Sequence, residues 1–225
     1  MKIESITMMA GHLEEMKYFY TETMGFSLQS QGTDYFRIAA GNTEIEFKQA
    51  DNNPYYHFAF DIPDNQFEEA KNWTKERVPL LIEEGEDEAF FEHFPARAFY
   101  FEDPAGNIVE FIARPTITEN RVHPFTVESI YYVSEMSLVV EDPKEAYDVL
   151  NQLGVPERDR KEPNPAGLTF MGQRQEGSFL LLTPPGRRWY FSDKVSAVFP
   201  MEVTLNDGQR VQIDEDHVLR VLKGI

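Results

Sequence analysis

The chain has 225 residues, 41% of them hydrophobic, with 39 acidic against 21 basic side chains, a formal net charge of −18 and no cysteine. Such a negative field repels phosphate backbones and anionic membrane surfaces, which argues against nucleic-acid and membrane partners. The lack of cysteine removes disulfides, thiolate metal sites and a cysteine nucleophile, while 18 Phe and 10 Tyr suit strands lining a cavity better than a leucine-rich bundle.

The N-terminus runs directly into a strand-like segment without the apolar core of a signal peptide, and no apolar run approaches the ~18 residues of a membrane span. A soluble, cytoplasmic protein is expected. Ile3 to Met9 reads as a strand, and Leu13, Met16, Phe19, Tyr20 and Met24 recur at helical spacing up to Gly25, a good helix stop. Phe26 to Gln31, Tyr35 to Ala39 and Thr43 to Gln49 complete a βαβββ order. After the polar linker Asp51 to Pro54 the order repeats. Its parts are a strand from Tyr56 to Ile62, a helix from Asp64 to about Arg77 and a short strand at Leu80 to Ile82. A hairpin then runs from Arg97 to Glu102 and Ile108 to Ala113.

The two halves match in residues as well. Gly41-Asn42 precedes a strand ending Glu46-Phe47, and Gly106-Asn107 precedes one ending Glu110-Phe111. Two such hairpins at equivalent places imply duplication. The expected organisation is a domain over residues 1–113, made of units 1–50 and 55–113, then a connector over 114–134. A third, degenerate unit follows over 135–200, and a tail over 201–225 holds a hairpin turning at Asn206-Asp207-Gly208 and a short helix from Asp214. The fold class is α+β: paired βαβββ units forming a cupped mixed sheet with flanking helices, plus a third half-unit.

Three residues stand out as candidates for chemistry. Glu110 lies on an otherwise apolar strand, where a lone carboxylate must be paired, protonated or bound to a cation; an arginine such as Arg97 or Arg114 is the plainer partner. Glu46 is its repeat counterpart on a strand face that could simply be solvated. His57 alternates with Ala59 and Asp61 on the strand opening the second unit. If both units shared one curved sheet, two carboxylates and an imidazole would form a set suited to Zn²⁺, Ni²⁺, Mn²⁺ or Fe²⁺. His93, Arg97, Phe99 and Phe101 are candidate pocket residues.

Leu13 to Phe26, Tyr56 to Ile62 and Tyr100 to Phe111 together resemble the vicinal oxygen chelate superfamily, which includes glyoxalase I, extradiol dioxygenases and bleomycin-resistance proteins. The resemblance implies a divalent metal held by the first and last strands of each unit: Glu46, His57 and Glu110 match three of the four positions, while the fourth falls at Ser5, a poor ligand where the family usually carries His or Gln. It implies a glyoxalase-like lyase or isomerase acting on a small oxygenated molecule by Lewis-acid stabilisation of an enolate or oxyanion, with Glu110 or Glu46 as proton shuttle. A metal-free binder of the bleomycin-resistance type is the alternative, and an extradiol dioxygenase a second. The third unit has Glu135 at its first-strand position, but its last strand, Phe179 to Leu182, carries no carboxylate. It therefore reads as a structural or dimer-forming half-unit, and its unpaired edges favour a homo-oligomer.

Overall fold

The computed structural model describes residues 1–117 and 119–223. Thr118 of the expected connector and the last two residues of the expected tail lie outside the described residues. The strands form two seven-stranded mixed sheets. The first unit supplies β1 (Ile3–Ala10), α1 (Leu13–Tyr18), β2 (Ser27–Gln31), β3 (Tyr35–Ala40) and β4 (Thr43–Gln49). The second supplies β5 (His57–Ile62), α2 (Phe67–Lys75), β6 (Ala89–Phe91), β7 (Ala96–Glu102) and β8 (Ile108–Ala113). The third gives β9 (Tyr132–Val139), α3 (Pro143–Gln152), β10 (Thr169–Met171) and β11 (Phe179–Thr183), and the tail gives β12 (Met201–Leu205), β13 (Arg210–Ile213) and β14 (Leu219–Leu222). No described helix is long and apolar enough to cross a membrane.

The α+β class and the two βαβββ units are as read from the sequence, but the two units do not pair with each other. One sheet runs β14-β13-β12-β1-β4-β3-β2 and the other β10-β11-β9-β5-β8-β7-β6. The first unit thus pairs with the C-terminal hairpin and the second with the third unit. The reason is local: in each pairing the opening strand meets another opening strand antiparallel, β1 with β12 and β5 with β9. Periodicity sets which face of a strand is buried but not which edge it offers to whom. The expected terminal helix is a third strand, β14, paired with β13. The expected strand at Leu80 to Ile82 is reduced to a single bridge between Leu80 and Phe101. The regular strand in that region is Ala89–Phe91, which carries the more strongly β-forming phenylalanines.

Of the three α-helices described, only α3 has a side-chain cap. Asp142 caps α3, its carboxylate accepting from the backbone N–H groups of Lys144 and Glu145, with Pro143 in the first turn. α1 is short and winds on as one wider π turn over Phe19–Thr23. That turn places Phe19 and Tyr20 in the core, where Tyr20 stacks on Phe47 at 4.9 Å and Phe19 meets Phe101 at 6.4 Å. Phe26 touches Phe60 at 5.4 Å, so aromatic rings join elements of the two sheets. β5, β8 and β11 are buried along their whole length because both faces are covered.

The β3–β4 turn forms a second joint between the sheets. The Asn42 N–H donates to the Tyr131 carbonyl at 2.8 Å, and a side chain at Gly41 would come within 2.2 Å of that same oxygen. Gly41 also has φ 58°, which an L side chain rarely adopts. Gly41→Ala should therefore cost about 3 kcal/mol, lowering Tm by roughly 6–12 °C. Gly85 has φ 91° with open space around it, so Gly85→Ala should cost only about 1 kcal/mol. Equal melting temperatures for the two variants would contradict this joint.

Candidate metal centre

The site is built by strand register. Ala59 in the middle of β5 has Glu110 of β8 beside it on one side and Glu135 of β9 on the other. Neighbouring strands are about 4.8 Å apart and paired residues share a face, so the two carboxylates flank one small methyl group. His57 is two residues along β5 on that same face. One ligating atom from each of His57, Glu110 and Glu135 lies within 4.8 Å of the others, and all three residues are buried. The β5–β9 register shifts between Ala59 and Phe60, a bulge of the kind that re-aims a side chain.

The third unit repeats the geometry of the second with one change. In the second unit Ala59 pairs with Glu110; in the third, Ser137 pairs with Leu181. Leu181 therefore occupies the position equivalent to Glu110 and lines the cavity as an apolar wall. The three polar groups come from the opening strands of both units and the closing strand of only one.

Hydrogen bonds orient each member. His57 Nδ1 lies 3.0 Å from the Ile108 carbonyl, which can only accept, so the proton sits on Nδ1. That turns Nε2 toward Glu110 Oε2, 3.3 Å away. Behind them Arg114, 1% exposed, bridges Asp61 at 3.1 Å and Glu135. Burial acts to lower the His57 pKa, but the hydrogen bond and charge of Glu110 outweigh it and the net shift is upward. Burial raises Glu135 to about 7 against the pull of Arg114, with the Glu110 charge adding to the rise. Burial likewise raises Asp61 to about 6 despite Arg114. Tyr100 is pushed well up by burial and by the charges of Glu110 and Glu135, so it stays a hydroxyl and donates to Glu110.

These residues floor a cavity of about 530 Å³. Its walls are largely aromatic, with Phe90, Phe94, Phe170, Trp189 and Tyr190 among them. Trp189 comes from a strap after β11, and its ring lies 5.1 Å from the His57 ring. The strap is anchored at three points. Arg188 pairs with Glu83, the Phe191 N–H donates to Glu83 at 3.0 Å, and Lys194 donates to the Gly106 carbonyl at 2.6 Å.

Of the residues singled out from sequence, His57 and Glu110 come together here and His93 lines the cavity. Glu46 does not: it lies in the other sheet, held by Arg37 at 2.6 Å and Lys48 at 3.3 Å. Burial alone would raise its pKa, but those two cations bring it below the ordinary value. Ser5 pairs within that same sheet, with Glu44 and Thr204, so the fourth position of the expected set also lies away from His57 and Glu110. Arg97, Phe99 and Phe101 are corrected by one residue of parity. They point away from the cavity, Phe99 and Phe101 onto Phe111 at 5.4 Å each and Arg97 over the Phe67 ring at 4.0 Å. Their neighbours Ala96 and Tyr100 face the cavity instead. Glu135 is the member that the reading of a purely structural third unit left out. Its signal was a carboxylate at the position equivalent to His57. Trp189 had no periodic signal, because it lies outside any strand or helix.

A family model described as a toxoflavin-degrading enzyme matches residues 133–187, from β9 into the strap. No curated protein matches the chain by sequence. Among solved structures, a candidate dioxygenase from Bacillus subtilis subsp. subtilis str. 168 superposes with TM-score 0.64 at 18% identity, covering 98% of this chain and 84% of that one. A lactoylglutathione lyase from Agrobacterium tumefaciens covers 49% of this chain and 92% of its own at 21% identity, TM-score 0.42. A glyoxalase/bleomycin resistance/dioxygenase protein from Alicyclobacillus acidocaldarius covers 50% and 91% at 19% identity, TM-score 0.39. The chain shares the fold of the Bacillus subtilis protein over nearly its whole length.

In the metal-free protein the folded cluster holds more protons than the unfolded chain between the ordinary carboxylate range and about pH 7, since Glu135 lies near 7 and Asp61 near 6. Stability then falls as pH rises through that window. The raised His57 acts in the same direction, its contribution being lost as pH passes its folded pKa. The metal-free protein should melt roughly 5 °C lower at pH 7.5 than at pH 5.5, and Glu135→Gln, which cannot ionise, should remove much of that difference. A pH slope in Glu135→Gln as steep as in the wild type would contradict this reading.

Proposed function

We propose that this chain is a divalent-metal-dependent enzyme that acts on a small, flat, oxygenated organic molecule, with His57, Glu110 and Glu135 as the metal ligands. The observation that carries the reading is the convergence of these three buried groups from three strands onto one cavity floor. Charge supports it too. Asp61, Glu110 and Glu135 bring three buried carboxylates against one buried guanidinium, Arg114. Buried like charges are costly unless compensated, and a divalent cation would supply what is lacking. The donor set also fits: a neutral imidazole with its outer N–H fixed on a carbonyl, and two carboxylates, suit Mn²⁺, Fe²⁺, Zn²⁺ or Ni²⁺.

The ion would supply Lewis acidity toward a substrate oxygen, stabilising an enolate or oxyanion. The protein's own groups do the rest. Arg114 fixes Glu135, and the Ile108 carbonyl fixes the His57 tautomer. Trp189 covers His57 and excludes water, which strengthens every charge interaction beneath it. Glu110, hydrogen-bonded to the Tyr100 hydroxyl, is placed to take and return a proton at its carboxylate. The aromatic walls select a flat molecule, and toxoflavin, named by the matched family model, is the first compound to test. The same walls favour a second reading, a metal-free binding protein, in which Arg114, with smaller pulls from His57 and Arg158, balances Glu135.

Metal analysis of untagged protein separates the two readings. After incubation with Mn²⁺, Fe²⁺, Zn²⁺ or Ni²⁺ the wild type should hold close to one equivalent of one of them. His57→Ala and Glu135→Ala should each lower the content about tenfold or more, and Glu46→Ala should leave it unchanged. Wild-type protein that takes up none of the four ions supports the binding protein instead.

A further inference from the structure

We infer that Arg187 receives an anionic group of the substrate, so that the cavity takes an aromatic acid: chelating oxygens toward His57, Glu110 and Glu135, and a carboxylate or similar anion toward Arg187. The inference rests on the metal-centre reading for the chelating end and on Arg187 itself for the acidic end.

Each of the other arginines around the cavity has its acid. Arg114 holds Asp61 and Glu135, Arg158 lies 3.3 Å from Asp159, and Arg188 at the rim pairs with Glu83. Arg187 lines the cavity and has no carboxylate partner among the described residues, although the chain carries 39 acidic against 21 basic side chains. Among the described residues its one side-chain hydrogen bond is from Nη1 to the Arg188 carbonyl, 3.1 Å away. A guanidinium has five N–H donors in a rigid fork, so most of them are left for a ligand.

The side chain is also positioned. The Arg187 N–H donates to Ser196 Oγ at 2.9 Å, and the Arg187 carbonyl accepts from the Ser196 N–H at 2.6 Å. Its guanidinium lies 5.6 Å from the Trp189 ring centroid, and that ring lies 5.1 Å from His57. The strap thus carries the water-excluding indole and the free cation on one short, anchored segment. Half-burial removes part of the solvent that would compensate the charge, and the charged side chain that acts on it most, Arg188, is of the same sign. An arriving anion would relieve both, through a charge-assisted pair to the guanidinium fork.

The test uses full-length protein loaded with Mn²⁺, whose uptake is read by its own paramagnetic resonance signal. Two probes that differ by one carboxylate, catechol and 3,4-dihydroxybenzoate, are titrated calorimetrically. The wild type should bind 3,4-dihydroxybenzoate about tenfold or more tighter than catechol. Arg187→Gln should abolish that preference while leaving catechol affinity within about twofold, and Arg187→Lys should restore part of it. Equal affinities in the wild type, or a preference that survives in Arg187→Gln, overturn the inference while catechol binding upholds the metal reading. Mn²⁺ uptake with no binding of either probe also overturns the inference. Failure to take up Mn²⁺, with neither probe bound, overturns both.

Discussion

Two carboxylates facing each other across a single alanine are the constraint on which the rest of this structure depends. Glu110 and Glu135 flank Ala59 in register, in a site almost closed to water. Burying them side by side is unfavourable unless positive charge is supplied. Arg114 supplies part of it and, by bridging Asp61 to Glu135, ties the end of the second unit to the start of the third. The pairing of β5 with β9 is thus more than a choice of neighbour: it assembles a three-group cluster that neither unit contains alone.

The two faces of the β7–β8 hairpin divide the work. Phe99, Phe101 and Phe111 face the core and meet Phe19, Phe67 and Phe60 in a continuous set of ring contacts. Tyr100, Glu110 and Ile112 face the cavity. A rigid aromatic core on one face holds the positions of the polar groups on the other, which is what a site needs when its ligating atoms must stay within a few tenths of an ångström. The strap closes the open side. Phe191, at φ 57°, stacks on Tyr100 at 4.8 Å and turns the strap so that Trp189 lies over His57. A non-glycine residue in that conformation is sparsely populated, and here Glu83 holds its N–H.

Much of this was legible in the sequence. The βαβββ order, the Gly-Asn hairpins and the parity that puts Glu110 with Ile112 and His57 with Ala59 all follow from period-two alternation and turn chemistry. Partner choice does not, because every opening strand carries a similar pattern. Pairing the first two units by their order in the chain placed Glu46 at the site and left Glu135 out. The sequence around Glu46 did carry a hint: Lys48 is on the same face and Arg37 on the preceding strand, so its charge was balanced locally. Within its own unit Glu135 has only the weaker pull of Arg158, more than twenty residues on; its main cation, Arg114, is on the far side of the connector. Arg97, Phe99 and Phe101 were misplaced for a simpler reason, since a strand buried on both faces shows no alternation to choose between them.

The two sheets can be compared as siblings. In one, the carboxylate Glu46 is held by Arg37 and Lys48 and needs no ion. In the other, the cations fall short of the carboxylates and an imidazole is turned toward the gap. We propose that a divalent cation fills that gap. The most direct measurement is an anomalous difference map, recorded at the metal edge, from crystals of the full chain grown with Mn²⁺ or Zn²⁺. One strong peak is expected about 2.2 Å from His57 Nε2 and from a carboxylate oxygen of both Glu110 and Glu135. A peak at Glu46, or none beside His57 at saturating metal, would contradict it.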